Sequence, residues 1–176
     1  MTPTRRCLLR LAPLCTLAIG GSAAFVLIEH RLSAPDAPIV LGLTQTLPRF
    51  ALPGMTSDDL RQTGSPLLLN IFASWCGPCV LETPSLMKLR LRGVAIWGIA
   101  YKDKPDATTK FLAQHGNPYA RVAHDEVGSA AEGLGLTGVP ETFLIDKDGD
   151  IRWRWSGGLS ENVVTDFLDP ILRGLG

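Results

Sequence analysis

The feature that most constrains this chain is a cysteine pair, Cys76-Gly77-Pro78-Cys79, set where an apolar run gives way to a helical pattern. Leu67-Leu68-Leu69-Asn70-Ile71-Phe72 has the length and character of a buried strand. A helix starting near Gly77 tolerates Pro78, because its missing N–H has no intrahelical partner in a first turn. Cys76 then meets free backbone N–H groups and the positive end of a helix dipole, and both favour thiolate over thiol. Cys79, one turn on, lies on the inner side and can attack a mixed disulfide formed at Cys76. One cysteine to attack and one to resolve is the minimum equipment for thiol–disulfide exchange. A zinc half-site and a purely structural disulfide are the plainer alternatives. Zinc needs about two more Cys or His ligands at recognisable spacing, and none stands nearby. The context favours redox chemistry.

At 176 residues the chain has room for one domain and an appendage. Its formal net charge is zero, so neither a nucleic-acid-binding excess nor an acidic tail is expected. Of the four cysteines, Cys7 and Cys15 fall in the N-terminal segment, leaving Cys76 and Cys79 alone in the folded part. A small stapled scaffold would carry more, so the core must hold by packing.

Met1 to Arg10 carries Arg5, Arg6 and Arg10 without an acidic residue, and Leu11 to Ile28 follows without a charge. That run is just long enough to cross a bilayer core as a helix. The arginines ahead of it keep the N-terminus in the cytoplasm and place everything after residue 31 outside. A cleaved signal peptide is the competing reading, with Ser22 and Ala24 suited to a cut, but the apolar run continues through Phe25-Val26-Leu27-Ile28. The expected organisation is a cytoplasmic N-terminus (1–10), a transmembrane signal anchor (11–31), a linker (32–41) and a folded domain (42–176).

Within that domain, Leu47 to Leu52 reads as an edge strand bounded by prolines, and Ser57 to Gly64 as a polar turn region. Val80 to Arg92 has helical spacing with Pro84 inside it, where a kink is expected. Val94 to Ala100 is a second buried strand, so strand, helix and strand imply parallel pairing. Asp106 to His115 reads as a further helix. Glu141 to Asp146 and Ile151 to Trp155 are strands joined by the hairpin signal Asp148-Gly149. Ser160 is a plausible N-cap for a last helix to about Leu172.

Trp75-Cys76-Gly77-Pro78-Cys79 at a strand–helix junction, with Pro84 five residues on and the Val139-Pro140 step before a late strand, resembles the thioredoxin superfamily. Tyr101-Lys102-Asp103, Gly116-Asn117-Pro118-Tyr119 and Thr137-Gly138-Val139-Pro140-Glu141-Thr142-Phe143-Leu144-Ile145-Asp146 are similar to the membrane-anchored thiol:disulfide interchange proteins of cytochrome c maturation, the CcmG/DsbE family. Asn70 to Cys76 and Glu82 fit the same family. The resemblance implies an α/β thioredoxin-like fold, a central mixed β-sheet flanked by helices, behind the one N-terminal transmembrane helix. It also implies a reductant in the bacterial periplasm, held by the inner membrane. Its partners would be apocytochrome c, or the Cys-x-x-Cys chaperone that holds it, and a membrane thiol–disulfide electron donor. A monomer is expected, with no cofactor, metal or nucleic acid.

In that reading Cys76 is the attacking thiolate and Cys79 the resolving, more buried thiol. General thioredoxins resemble each other in an aspartate six positions before the first cysteine, where this chain has Asn70. Glu82, three residues beyond Cys79, shares its helix face; half-buried, it would have a raised pKa and could accept the proton, while the plainer alternative is a solvated surface glutamate. The resemblance makes Pro140 a cis-proline facing the cysteines, with Val139 presenting its backbone to a substrate strand. Trp75, Glu141 and Tyr101 complete the expected groove. Gly133 to Gly138 spells a dinucleotide fingerprint but joins no first strand to a helix, and Asp146 to Asp150 lacks the closing glutamate of a calcium loop. A general extracytoplasmic thiol reductase or oxidant, and a redox-inert docking module, remain as alternative functions.

Overall fold

A computed structural model describes residues 44–175. The N-terminal segments expected at 1–10, 11–31 and 32–41 lie outside the described residues, among which no helix is long and apolar enough to cross a membrane.

The centre of the sheet is β4 (Leu67–Phe72), buried at all six positions. A continuous apolar run of this kind suits a strand covered on both faces. β5 (Ala95–Tyr101) pairs with it in parallel, from Leu67 opposite Ala95 to Phe72 opposite Ala100. β6 (Arg121–Asp125) adds a further parallel strand. On the other side β7 (Glu141–Ile145) runs antiparallel to β4. β8 (Asp150–Ser156) pairs antiparallel with β7, and β1 (Gln45–Thr46) closes that edge. The six-stranded order is β1-β8-β7-β4-β5-β6, a mixed sheet as expected.

The alternation of side chains along β4 sorts its residues between two apolar clusters. Leu68 and Phe72 face one that holds Cys76, Cys79, Leu144, Trp153 and Trp155. Leu67, Leu69 and Ile71 face another with Ile99, Phe143 and Ile145. Asn70 has the same parity as Leu68 and Phe72, so the strand's only polar residue points to the cysteine side. A fully buried Phe72 contributes roughly 2–3 kcal/mol through removal of apolar area from water.

Several elements differ from the sequence expectation. Leu47 to Leu52 is not one strand: Pro48 cannot donate to a ladder. β1 lies before it, and β2 (Ala51–Leu52) after it forms a hairpin with β3 (Met55–Thr56), where Gly54 supplies the positive φ of the turn. Ser57 to Gly64 is not only a turn. Ser57–Arg61 forms α1, started by a capping box in which Thr56 and Asp59 satisfy each other's backbone N–H. Its single turn buries little beyond Leu60, too few apolar positions to show a period. α2 (Gly77–Leu91) runs continuously through Pro84. α3 is Pro105–His115. β6 and the short α4 (Ser129–Gly133) have no counterpart in the sequence reading. Ser160 caps the last helix by accepting from Val163 N. That helix is α5 (Glu161–Val163), which passes through a π-helical stretch (Val164–Leu168) into α6 (Asp169–Leu175). The Asp146 to Asp150 segment is the β7–β8 turn, closed by Asp146 accepting from the N–H of Asp148 and Asp150.

Candidate active site

Cys76 is the N-cap of α2, and its Sγ accepts the backbone N–H of Cys79 at 3.1 Å. That is the position at which a helix terminus stabilises a thiolate. Cys76 and Cys79 are bridged as a disulfide. The expectation that Cys79 is the more buried finds no support in exposure, which is 3% for Cys76 and 2% for Cys79. Position separates them: Cys76 ends the loop at the helix terminus, while Cys79 is one turn inside. The loop before Cys76 is fastened by Asp103, which accepts from Ser74 N and Ser74 Oγ and also from Thr108 Oγ1.

One helical turn past Cys79, Glu82 is 2% exposed. The surface-glutamate alternative is thereby removed. Its Oε1 accepts from Asn70 Nδ2 at 3.0 Å and its Oε2 from Leu159 N at 3.0 Å. Burial raises its pKa to about 7, against the smaller pull of those two donors. Asn70 also donates to Thr142 Oγ1 and accepts from Tyr119 Oη at 2.7 Å. Tyr119 is buried, and desolvation followed by the charge of Glu82 pushes its phenol well above the ordinary range. It stacks on Phe72 with ring centroids 4.6 Å apart. Gly98 makes that possible, since a Cβ there would stand 3.0 Å from the Tyr119 ring.

A peptide oxidised and reduced at two such sulfurs, with a carboxylate poised near neutrality behind the second, is equipped for disulfide exchange. The comparisons with known proteins agree. A family model described as Redoxin matches residues 43–168. The chain is 41% identical over 143 residues to the thiol:disulfide interchange protein HelX of Rhodobacter capsulatus, covering 81% of this chain and 78% of that one. It is 38% identical over 163 residues to the thiol:disulfide interchange protein DsbE of Vibrio cholerae, covering 88% of each. A DsbE-type crystal structure from Chlorobium tepidum superposes with a TM-score of 0.63 at 31% identity, over 76% of this chain and 97% of that one. This chain belongs to the DsbE family of the thioredoxin superfamily. It is a protein-disulfide oxidoreductase.

The other residues expected in the DsbE-family site divide into two groups. Val139-Pro140 is a cis peptide bond. Val139 packs against both apolar clusters, and Pro140 O accepts the N–H of Gly157, one residue before Gly158 runs past Pro78 and Glu82. Trp75 is 59% exposed beside the disulfide, its indole N–H donating to Lys102 O. Trp75 thus stands next to Cys76 in the chain, and the segment bonded to Pro140 passes the first turn of the cysteine helix. Glu141 is completely buried, paired with Arg154 and accepting from Ser156 Oγ and Thr137 N. Its parity in β7 turns it to the face opposite Glu82, so its carboxylate is not a groove group. Tyr101 likewise packs with the opposite cluster, against Gly128 and beneath the Lys102 ammonium.

Sequence reasoning missed Tyr119, Leu159 and Asp103 as site residues, and it noted Asn70 only as a missing aspartate. Asn70 had a local signal, a lone polar residue inside a buried strand, which must find partners. Leu159 acts through its backbone N–H and carries no residue-type signal at all.

Proposed function

We propose that this DsbE-family chain is a reductant of cytochrome c maturation, acting on the haem-binding cysteines of apocytochrome c or on the chaperone that holds them. The observation that carries it is Glu82, buried one turn past Cys79 with only neutral N–H donors among the described residues, its pKa raised by burial to about 7. The names of its relatives support thiol–disulfide interchange, and the resemblance of its loops to cytochrome-maturation proteins supports the choice of substrate.

The Cys76 thiolate attacks a substrate disulfide, forming a mixed disulfide and releasing one substrate thiolate. Cys79 gives its thiol proton to Glu82 and attacks Cys76 Sγ. The Cys76–Cys79 bond forms and the second substrate thiolate leaves, so two electrons pass to the substrate. A hollow of about 290 Å³ lined by Pro78, Leu81, Glu82, Gly158, Leu159 and Ser160 gives the carboxyl a route to return its proton to solvent. A dithiol donor in the membrane reverses the sequence and restores the two thiols. The proposed setting is the bacterial inner membrane, with residues 11–31 as a single-pass anchor and the folded domain in the periplasm.

Cys79→Ser tests this, because it leaves attack intact and removes resolution. The variant should accumulate disulfide-linked complexes containing an apocytochrome c or its Cys-x-x-Cys chaperone, together with the membrane donor. The wild-type potential should fall near thioredoxin's value of roughly −270 mV rather than the roughly −120 mV of a dedicated oxidant. A strongly oxidising potential, with unrelated secreted proteins in the trap, would replace the reductant reading with an oxidant one.

A further inference from the structure

We propose that Tyr119 is a positioning residue for Glu82: its hydroxyl fixes the orientation of the Asn70 amide, so that Asn70 presents a donor rather than an acceptor to the carboxylate. The proposal deepens the reading of Glu82 as proton acceptor and rests on that reading for its catalytic meaning.

The Asn70 amide has one acceptor oxygen and two donor hydrogens, and the structure occupies all three sites: Tyr119 Oη, Glu82 Oε1 and Thr142 Oγ1. Which end faces Glu82 is decided by the network around it. Thr142 Oγ1 accepts from the amide as it stands and could donate to it if turned. Tyr119 Oη donates to the amide oxygen and has no other acceptor among the described residues. Its buried proton has the Asn70 oxygen as partner at 2.7 Å. Turning the amide over would strand that proton and set the amide oxygen against the carboxylate, and a buried donor without a partner is costly.

With the amide held as it is, both oxygens of Glu82 receive N–H donors, from Asn70 and from Leu159. That arrangement suits the anion and leaves no good acceptor for the proton of the neutral acid. Take away the Tyr119 hydroxyl and the amide can turn. Its oxygen would then accept from the neutral carboxyl, favouring the protonated form. Glu82 would hold its proton to higher pH and be a carboxylate less of the time when Cys79 needs to lose its own.

Few other groups can intrude. β4 and β7 present Asn70 and Thr142, and the segment before α5 presents the Leu159 N–H. The titratable neighbours are the Tyr119 phenol and, when reduced, Cys79 on the same helix. No cation contributes to the titration of Glu82 among the described residues.

The test is the carbon-13 titration of the Glu82 carboxyl in the full 176-residue chain. It is made in the oxidised protein, where the thiols do not titrate. Tyr119→Phe keeps the ring stacked on Phe72, and its Glu82 titration should move up by about one pH unit, the size set by one hydrogen bond to a charged group. Tyr119→Met removes the same hydroxyl with a flexible apolar side chain that fits irregular core space, and it carries the same test should Tyr119→Phe not fold. Phe111→Leu, in the same apolar cluster, should lower stability and leave the titration where it was. The second readout is the pH profile of glutathione release from a glutathione–Cys76 mixed disulfide, whose midpoint should follow the carboxyl. An unmoved Glu82 titration in the folded variant lacking the Tyr119 hydroxyl overturns the proposal. A moved titration with an unmoved rate profile upholds the positioning role and sinks Glu82 as the proton acceptor, so the two failures are distinct.

Discussion

Glu82 and Glu141 are both buried carboxylates, 2% and 0% exposed, packed against opposite faces of the same sheet. Glu82 receives only neutral N–H donors, and burial raises its pKa to about 7. Glu141 receives Arg154, itself 15% exposed, together with a hydroxyl and a backbone N–H. Desolvation disfavours the charged form of Glu82, whereas Glu141 lies in contact with a guanidinium. The difference teaches that burial by itself makes a proton site, whereas burial with a cation makes a strut. The strut ties β7 to β8 and to the loop at Thr137; the proton site lies one helical turn past Cys79.

The largest effect should come from breaking the strut. Glu141→Gln leaves the Arg154 guanidinium without its counter-charge, and urea unfolding should show a loss of about 3 kcal/mol. Unchanged stability with impaired exchange would return Glu141 to the groove.

Next comes the proton site. Because the folded protein holds the Glu82 proton from its ordinary 4.5 up to about 7, the native state binds more protons than the unfolded state across that window. The sign follows: stability attributable to this group is fullest below 4.5, falls as pH rises to about 7, and is level above. The total fall is about 3 kcal/mol. Glu82→Gln removes the titration, so the fall in stability between pH 4.5 and about 7 should be absent from the variant. The same change should slow resolution about a hundredfold by removing the proton acceptor. A variant that loses stability over the same pH window as wild type would deny that burial of the Glu82 charge is what costs stability there.

Replacing the whole strut sharpens the contrast. The double substitution Glu141→Leu with Arg154→Met should unfold within about 1 kcal/mol of wild type, because removing both charges strands neither. A loss as large as that of Glu141→Gln would mean that the remaining hydrogen bonds, not the ion pair, hold the strand ends. The smallest effect should be at Trp75, which is 59% exposed. Trp75→Ala should change stability by less than about 0.5 kcal/mol. A clear drop in exchange rate with protein partners would place the ring in the contact with substrate.

Much of the site was legible because it is local. The apolar strand, the helix start and the cysteine spacing are contiguous, so strand and helix physics place Cys76 at a helix terminus with no knowledge of the rest. The Ser160 cap and the Asp148-Gly149 turn were legible for the same reason. Short elements were not: α1 and β2 bury too little each to leave a hydrophobic period, and β6 mixes charge with its alternation. Glu82 and Glu141 each stand two residues or fewer from a recognisable landmark, and nothing local distinguishes a proton acceptor from a strut. What distinguishes them arrives from far along the chain. Asn70, Tyr119 and Leu159 converge on Glu82 from β4, the segment before β6 and the segment before α5, while Arg154 comes across the sheet to Glu141. The sequence by itself determined where the reactive sulfurs sit, because a helix terminus is made by its own residues. Only the tertiary structure decided which carboxylate keeps its proton near neutrality, because burial and pairing belong to whatever packs against a side chain.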